Sequence, residues 1–285
     1  MLNLTSPKAV IELLKSNEIT PNKVLGQNFL IDRNILDSIV EVSETGPEYS
    51  VLEVGPGLGV LTEQLMLHSK HVTAVEKDSG LYRILSERWG NEENLTLIHG
   101  DALEVPLHEI YAAGATRLIS NLPYSVGVRV VLDSALCENP PEVMVLLLQK
   151  EVCERFAAKP GTADMGIVSV LLQRLYKVTL VRNVKPTCFY PQPDVTSTIV
   201  KLKRHNDYPM DQAESKYFTE FVKLAFSHRR KQLASVMKNA PAPYGKSADE
   251  IRALLLQVGA TETARPEELS IPQWVQLSAL WKIPK

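Results

Sequence analysis

This sequence has no long apolar run and only three cysteines. No stretch of about 18 apolar residues occurs in the chain, which excludes a membrane-spanning helix of ordinary length. The N-terminal residues lack a charged start followed by an apolar stretch, so we expect no export signal. The three cysteines, Cys137, Cys153 and Cys188, are odd in number and widely spaced, which argues against a disulfide framework or a zinc site. These absences predict a reduced, cytosolic protein.

Metal-binding clusters are also missing from the sequence pattern. His68 and His71 are three residues apart, but no cysteine or acidic cluster accompanies them, so we expect no metal ion.

Neither sign of charge dominates, but the charge is unevenly distributed. The chain has 31 basic and 33 acidic residues, a net charge of −2. From Lys203 to the end there are 13 basic and 9 acidic residues, a net charge of +4. The rest of the chain therefore has a net charge of −6. Residues 223–239 contain five basic and no acidic side chains. Such a strip can contact a polyanion, although on charge alone a solvated helix face explains it equally well.

Short β-branched runs alternate with helical patterns in the first two-thirds of the chain. This alternation predicts an α/β domain with a mainly parallel sheet. After Arg204 the pattern is helical only, so we predict domains at residues 1–204 and 205–285. The predicted strands are residues 51–54, 72–75, 95–98, 117–120, 143–148, 177–184 and 196–203.

Two of the predicted strands end in motifs suited to binding a nucleoside. In open α/β sheets, ligands bind beyond the carboxyl ends of the strands. Gly55 and Gly57 lie in the turn Gly55-Pro56-Gly57-Leu58-Gly59, where backbone can approach a ligand closely. Glu76 ends the next strand, where a carboxylate can accept hydrogen bonds from both ribose hydroxyls. These two features suit NAD and S-adenosylmethionine equally, although the glycine spacing is not the dinucleotide G-x-G-x-x-G.

The end of the third strand favours S-adenosylmethionine. Asp101 can accept a hydrogen bond from an adenine amine, and Ala102 offers a backbone amide to the ring. The alternative for Asp101 is a helix N-cap.

The motif Asn121-Leu122-Pro123-Tyr124 is the most specific signal for chemistry. An exocyclic amine on a purine is a poor nucleophile because its lone pair is delocalised into the ring. The side-chain carbonyl of Asn121 and a backbone carbonyl at Leu122 or Pro123 could accept its two N–H bonds and stabilise the positive charge that develops during methylation. Tyr124 could stack on the base. The alternative is a turn that merely ends the strand.

These motifs, together with others along the chain, resemble the bacterial small-subunit ribosomal RNA adenine dimethyltransferases. The resemblance extends over nearly the whole chain. It rests on Leu25-Gly26-Gln27-Asn28-Phe29-Leu30, Glu53-Val54-Gly55-Pro56-Gly57, Glu76-Lys77-Asp78, Gly100-Asp101-Ala102, Asn121-Leu122-Pro123-Tyr124, Leu148-Gln149-Lys150-Glu151-Val152, Phe189-Tyr190-Pro191-Gln192-Pro193-Asp194-Val195 and Ala225-Phe226-Ser227-His228-Arg229-Arg230-Lys231.

The resemblance implies N6,N6-dimethylation of two adjacent adenosines near the 3′ end of 16S ribosomal RNA, in an assembling small subunit. It implies a Rossmann-like class I methyltransferase sheet with helices on both faces, a small all-helical C-terminal domain, and S-adenosylmethionine as donor. We expect the active protein to be a monomer. The resemblance implies that the donor pocket is lined by Asn28, Leu30, Gly55, Glu76, Asp101 and Asn121, with Gln27 beside it. To these cofactor-binding residues the strand-end motifs add Gly57 and Ala102.

Outside the donor pocket, the resemblance implies an aromatic and a basic contact to RNA. Phe189 would face Tyr124 as a second aromatic wall around the target base. Arg229, Lys231 and Lys238 are candidates for phosphate contacts. We also assign Arg230 to RNA binding, but its spacing from apolar neighbours places it on the apolar side of a helix, with its stem packed inward.

Two other functions stay open at this stage. The first is methylation of 23S ribosomal RNA by a resistance-type relative with a similar Asn-Leu-Pro-Tyr motif. The second is a non-catalytic assembly factor that keeps the pocket as a relic.

Overall fold

The computed structural model describes residues 3–22 and 26–282, so Leu25 of the first motif lies outside the described residues. The chain divides into two compact units. The first contains Met1–Cys153 and Lys177–Arg204, and the second contains Glu154–Tyr176 and His205–Lys285. In the described part of the chain, no helix is both long and apolar enough to span a membrane.

The first unit is an α/β fold. Its helices are α1 (Pro7–Ser16), α2 (Arg33–Val42), α3 (Val60–His68), α4 (Ser79–Trp89), α5 (Leu107–Ala112) and α6 (Gly127–Leu136), and α7 (Lys150–Phe156) begins in it. Its strands are β1 (Phe29–Leu30), β2 (Ser50–Val54), β3 (His71–Glu76), β4 (Leu95–His99), β5 (Ala115–Asn121), β6 (Val143–Gln149), β7 (Tyr176–Val184, whose first residue belongs to the second unit), β8 (Phe189–Tyr190) and β9 (Ser197–Arg204).

Seven strands form one sheet in the order β4-β3-β2-β5-β6-β9-β7, with helices on both faces. β2 to β6 are parallel, whereas β9 runs antiparallel to β6. Strands buried on both faces need nearly continuous apolar sequence, and β6 is buried along residues 143–148. The chain runs from β2 outward to β3 and β4, and then crosses to β5 on the other side of β2. The carboxyl ends of β2 and β5 therefore flank a switch point of the kind that binds ligands.

Helix caps and glycine turns fix the loops that join the strands to the helices at the carboxyl ends of the parallel strands. Asp32 and Asp78 cap α2 and α4 by accepting hydrogen bonds from backbone N–H groups of the first turn. Gly59, which precedes α3, has a φ of +84°, and a Cβ there would lie 2.3 Å from the Trp89 ring. Only glycine fits this position, because both the backbone conformation and the close packing exclude a side chain.

A small second sheet was not predicted. β1 and β8 pair antiparallel, with Phe29 opposite Tyr190 and Leu30 opposite Phe189. Strands of two residues leave no alternating pattern in a sequence, so they escape detection from periodicity.

The second unit is mainly helical, and its boundaries differ from the predicted domain at 205–285. It contains α8 (Ile167–Leu175), α9 (Gln212–Ala225), α10 (Leu233–Met237), α11 (Ala248–Gln257) and α12 (Ile271–Trp281). The side chain of Arg174 in α8 donates a hydrogen bond to Ser215 Oγ at 2.8 Å and lies over the Phe218 ring in α9. The segment Glu154–Tyr176 therefore packs with the C-terminal helices, although its sequence lies inside the predicted catalytic domain.

Candidate methyl-donor and acceptor site

One cavity of about 270 Å³ lies at the carboxyl ends of the parallel strands in the first unit. It brings together eleven of the predicted site residues from five separate parts of the sequence. They are Gln27, Asn28, Leu30, Gly55, Gly57, Glu76, Asp101, Ala102, Asn121, Pro123 and Tyr124.

The glycine turn after β2 forms one wall of the cavity. Gly55 and Gly57 have φ values of +70° and +62°, in the left-handed region that favours glycine. A Cβ at Gly55 would lie 3.1 Å from the Pro123 ring, and one at Gly57 would lie 3.1 Å from the Phe29 ring. The turn is therefore a cradle of bare backbone, as the predicted role requires.

Glu76 lies deep in the cavity wall and is 5% exposed. Its carboxylate accepts hydrogen bonds from the Gly57 N–H at 3.1 Å and the Asp78 N–H at 2.9 Å. Burial raises the pKa of Glu76 to about 7, against the opposing effect of those two N–H donors. Near neutral pH the ligand-free site thus holds a mixture of the acid and the carboxylate.

This pKa predicts that donor binding depends on pH. Only the carboxylate can accept hydrogen bonds from both ribose hydroxyls, and a group with a pKa of about 7 is mostly protonated at pH 6 and mostly ionised at pH 8. We expect the Kd for S-adenosylmethionine, measured by calorimetry, to rise about tenfold between pH 8 and pH 6. The variant Glu76→Gln should lose this dependence; an equally steep profile in that variant would assign the titration to another group.

Glu53 is a cavity residue to which the sequence analysis gave no role. It is 1% exposed in β2, and its Oε2 has no hydrogen-bond partner within the described residues. Burial raises the pKa of Glu53 to about 8, and the neighbouring carboxyl of Glu76 adds to the shift. The available signal was an acidic residue inside the apolar run 51–54. A buried carboxyl oxygen without a partner can accept a hydrogen bond from a polar or cationic group of a ligand.

Asp101 is held at the cavity by an ion pair. Its Oδ2 lies 2.6 Å from Lys77 Nζ, and its Oδ1 accepts a hydrogen bond from the Leu103 N–H at 2.9 Å. The Lys77 ammonium is the main reason why the pKa of Asp101 lies below its usual value. The alternative role as a helix N-cap does not apply, because the next helix, α5, begins only at Leu107.

Gln27 connects the N-terminal segment, of which residues 3–22 and 26–30 are described, to the start of α4. Its amide Nε2 donates to Asp78 Oδ2 at 3.1 Å, and its Oε1 accepts from the Asn22 N–H at 2.7 Å. Leu4 and Val10 from the same segment also line the cavity. This segment therefore forms a wall of the cavity that strand patterns alone did not indicate.

Asn121 is oriented by a contact with the N-terminal segment. Its side-chain Nδ2 donates a hydrogen bond to the backbone carbonyl of Asn28 at 3.0 Å. With the nitrogen engaged, the side-chain carbonyl oxygen is the atom left to accept a hydrogen bond from a ligand in the cavity. Asn121 ends β5, so the strand fixes its backbone and the Asn28 carbonyl fixes its amide.

Tyr124 also lines the cavity, and its side chain is anchored at the hydroxyl end. Its hydroxyl lies 2.6 Å from Ser197 Oγ, and burial raises the pKa of Tyr124. Ser197, the first residue of β9, is fully buried and was not among the predicted site residues. The motif used in the sequence analysis ended at Val195, two residues before it.

Phe189 does not line the cavity, contrary to its predicted place facing Tyr124. It is 1% exposed and packs in the core with Leu30, Ile35 and Ile199. The reason is the unpredicted pairing of β8 with β1, which turns this ring into the protein.

The predicted basic strip lies on the second unit. Arg229, Arg230, Lys231 and Lys238 are all exposed. The prediction that Arg230 lies on the apolar side of a helix is wrong, because α9 ends at Ala225 and Arg230 lies in the turn before α10. The guanidinium of Arg229 donates a hydrogen bond to the Ala163 carbonyl. Among the described residues, Arg230, Lys231 and Lys238 form no ion pair.

Comparisons with known proteins agree with this geometry. The sequence matches the family described as ribosomal RNA adenine dimethylase over residues 19–277. It is 36% identical to ribosomal RNA small subunit methyltransferase A of Natranaerobius thermophilus, with 97% of this chain and 96% of that protein covered. The protein of the same name in Bacillus cytotoxicus is 34% identical, with coverages of 98% and 97%.

Solved structures show the same fold. A dimethyladenosine transferase from Plasmodium falciparum superposes with a TM-score of 0.73 at 23% identity, covering 87% of this chain and 95% of that one. The 23S rRNA methyltransferase ErmE superposes with a TM-score of 0.65 at 25% identity, covering 89% and 99%.

Proposed function

Because this chain belongs to the ribosomal RNA adenine dimethylase family, we propose that it dimethylates the N6 atoms of two adjacent adenosines near the 3′ end of 16S ribosomal RNA. The proposed donor is S-adenosylmethionine, and the proposed substrate is the RNA in an assembling small ribosomal subunit. The observation that carries the proposal is the side-chain oxygen of Asn121, which has no hydrogen-bond partner among the described residues and lines a cavity that also holds Glu76 and Asp101.

The cavity fits the donor by the chemistry of its walls. The positive-φ glycines leave bare backbone beside the ligand, and a Cβ there would crowd Pro123 or Phe29 at 3.1 Å. Glu76 would accept hydrogen bonds from the ribose, and Asp101 with Ala102 would bind the adenine edge. Gln27, Asn28 and Leu30 would close the site. When bound, S-adenosylmethionine supplies an electrophilic methyl group on a sulfonium.

At the acceptor side, the chain would act on the amine through carbonyl oxygens. Asn121 Oδ1 and a backbone carbonyl at Leu122 or Pro123 would accept the two N–H bonds of the adenine amine, which favours a pyramidal nitrogen and stabilises its developing charge. The methylated amine is acidic and loses its proton to solvent afterwards, so no strong general base is required. Tyr124 would stack on the base.

Access to the amine requires that the base leave its stack. Unstacking costs a few kcal/mol, and stacking on an aromatic ring returns about 1–3 kcal/mol per base. Arg230, Lys231 and Lys238 would contact RNA phosphates. Arg229 would contribute only part of its guanidinium to such a contact, because its Nη2 donates a hydrogen bond to the Ala163 carbonyl. We propose a monomer as the active species, since one chain supplies all the proposed donor contacts, and the cytoplasm as its location, since that is where the RNA is made.

The test is mass spectrometry of adenosines after incubation with donor and unmodified small-subunit particles. We expect N6,N6-dimethyladenosine at two adjacent positions near the 3′ end, formed about a hundredfold more slowly or worse by the Asn121→Ala variant. Free 23S RNA in a parallel reaction separates the two enzyme classes, because methylation of that RNA alone would contradict the proposal. Particle binding without any methylation would instead support the assembly-factor alternative.

A further inference from the structure

Ser197 reaches the acceptor side of the cavity from a distant part of the sequence. β9 runs antiparallel to β6, with Ser197 opposite Gln149, so β9 begins at the edge where the parallel strands end. Asn121 lies opposite Leu147 in the same sheet, two residues from that point. The topology therefore brings the start of β9 beside the Asn121-Leu122-Pro123-Tyr124 motif.

Ser197 touches the motif through one atom. Its Oγ lies 2.6 Å from the Tyr124 hydroxyl, the residue is fully buried, and it does not line the cavity. Because burial raises the pKa of Tyr124, the phenol stays protonated and keeps this hydrogen bond at neutral pH. Ser197 can influence a ligand in the cavity only through the tyrosine ring.

The tyrosine ring is thus restrained at both ends. At the backbone end, Tyr124 lies in a turn that the Gly127 N–H closes by donating a hydrogen bond to the Pro123 carbonyl at 3.1 Å. At the far end, the hydroxyl is held by Ser197. A ring anchored at both ends presents one fixed face to the cavity, and a fixed face lowers the entropy lost when a base stacks on it.

We infer that Ser197 is a positioning residue, which holds the Tyr124 ring in the orientation that stacks on the target adenine. The inference rests on the proposed function, since it assigns to Tyr124 the role of a base-stacking wall. Through the ring, Ser197 affects the binding of the acceptor base and leaves the binding of the donor unchanged.

A double-mutant cycle of Ser197→Ala and Tyr124→Phe tests this inference. Tyr124→Phe keeps the ring and removes only the hydroxyl, so both single variants lose the same hydrogen bond. Thr198→Val is a matched control: Thr198 is the next residue of β9, is 1% exposed, and donates its hydroxyl to Asn183 Oδ1 at 2.8 Å, away from Tyr124.

We expect each single variant to lower kcat for RNA methylation about 3- to 10-fold, the size of one neutral hydrogen bond, with the donor Kd unchanged. The double variant should be no slower than either single variant, and Thr198→Val should keep the original kcat. Full activity of Ser197→Ala would overturn the inference. The inference would also be overturned if Ser197→Ala lowered kcat by the same factor in the Tyr124→Phe background as in the unmodified protein. It would likewise be overturned if Thr198→Val lowered kcat as much as Ser197→Ala does.

A readout that needs no turnover separates this inference from the proposed function. In protein labelled with 13C at tyrosine Cζ, the Tyr124 resonance should shift in Ser197→Ala and stay in place in Thr198→Val. An unmoved resonance overturns the inference even if the protein methylates RNA. If the resonance moves but the wild-type protein methylates no RNA, only the proposed function fails.

Discussion

Replacing Asn121 by alanine is expected to lower kcat by about a hundredfold or more, the usual cost of removing one oriented group that stabilises charge in the transition state. The variant removes the side-chain oxygen proposed to accept an N–H of the target amine. It also frees the Asn28 carbonyl, so the wall formed by the N-terminal segment loses one contact. Single-turnover methylation of small-subunit particles measures the chemical step directly.

Two further variants show whether the loss of kcat is specific to the Asn121 side chain. Asn91→Ala, at an exposed asparagine of the same unit, should retain full activity. Asn121→Asp keeps an acceptor oxygen but loses the N–H that bonds the Asn28 carbonyl, so it should also be slow. If Asn121→Ala keeps more than a tenth of the original rate, its oxygen is not the group that activates the amine.

Replacing Glu76 by alanine should weaken donor binding by about a hundredfold at pH 8, since two hydrogen bonds to a charged group contribute about 3 kcal/mol or more. The change also removes the acceptor for the Gly57 N–H, which loosens the glycine turn. Calorimetric titration with S-adenosylmethionine gives the affinity, and thermal unfolding shows whether the fold is kept.

The matched control is Glu104→Ala, an exposed acid near Asp101 that does not line the cavity. Its donor affinity should equal that of the unmodified protein. Unchanged affinity in Glu76→Ala would mean that the ribose binds elsewhere and would remove the main support for the donor site.

The strands of the large sheet could be predicted because they are short β-branched runs between helical patterns, and the central strand β6 is apolar on both faces. Each of the seven predicted segments overlaps an observed strand, and the turn after β2 lies where its glycines indicate. The small sheet of β1 and β8 could not be predicted, since it depends on pairing between residues about 160 positions apart. The grouping of Glu154–Tyr176 with the second unit likewise depends on packing against α9, which its own periodicity does not record.

The site residues could be predicted where they follow strands and not where distant elements meet. Glu76, Asp101 and Asn121 follow or end strands, and the rule for open sheets brings them together. The Asn28 carbonyl that orients Asn121 and the Ser197 hydroxyl that meets Tyr124 come from positions 93 and 73 residues away. The burial of Phe189 and the turn at Arg230 are also set by neighbours in space, which local spacing does not encode.

The position of β9 has a consequence for how the protein is made. β9 lies between β6 and β7 in the sheet, yet it is the last of these strands to be synthesised, after all of Glu154–Tyr176. A nascent chain that ends before Ser197 exposes the outer edge of β6, an apolar strand whose unpaired backbone invites association with other chains. Translation through Arg204 covers that edge and also delivers the hydroxyl that anchors Tyr124, so a chain cut short before Ser197 is prone to aggregate.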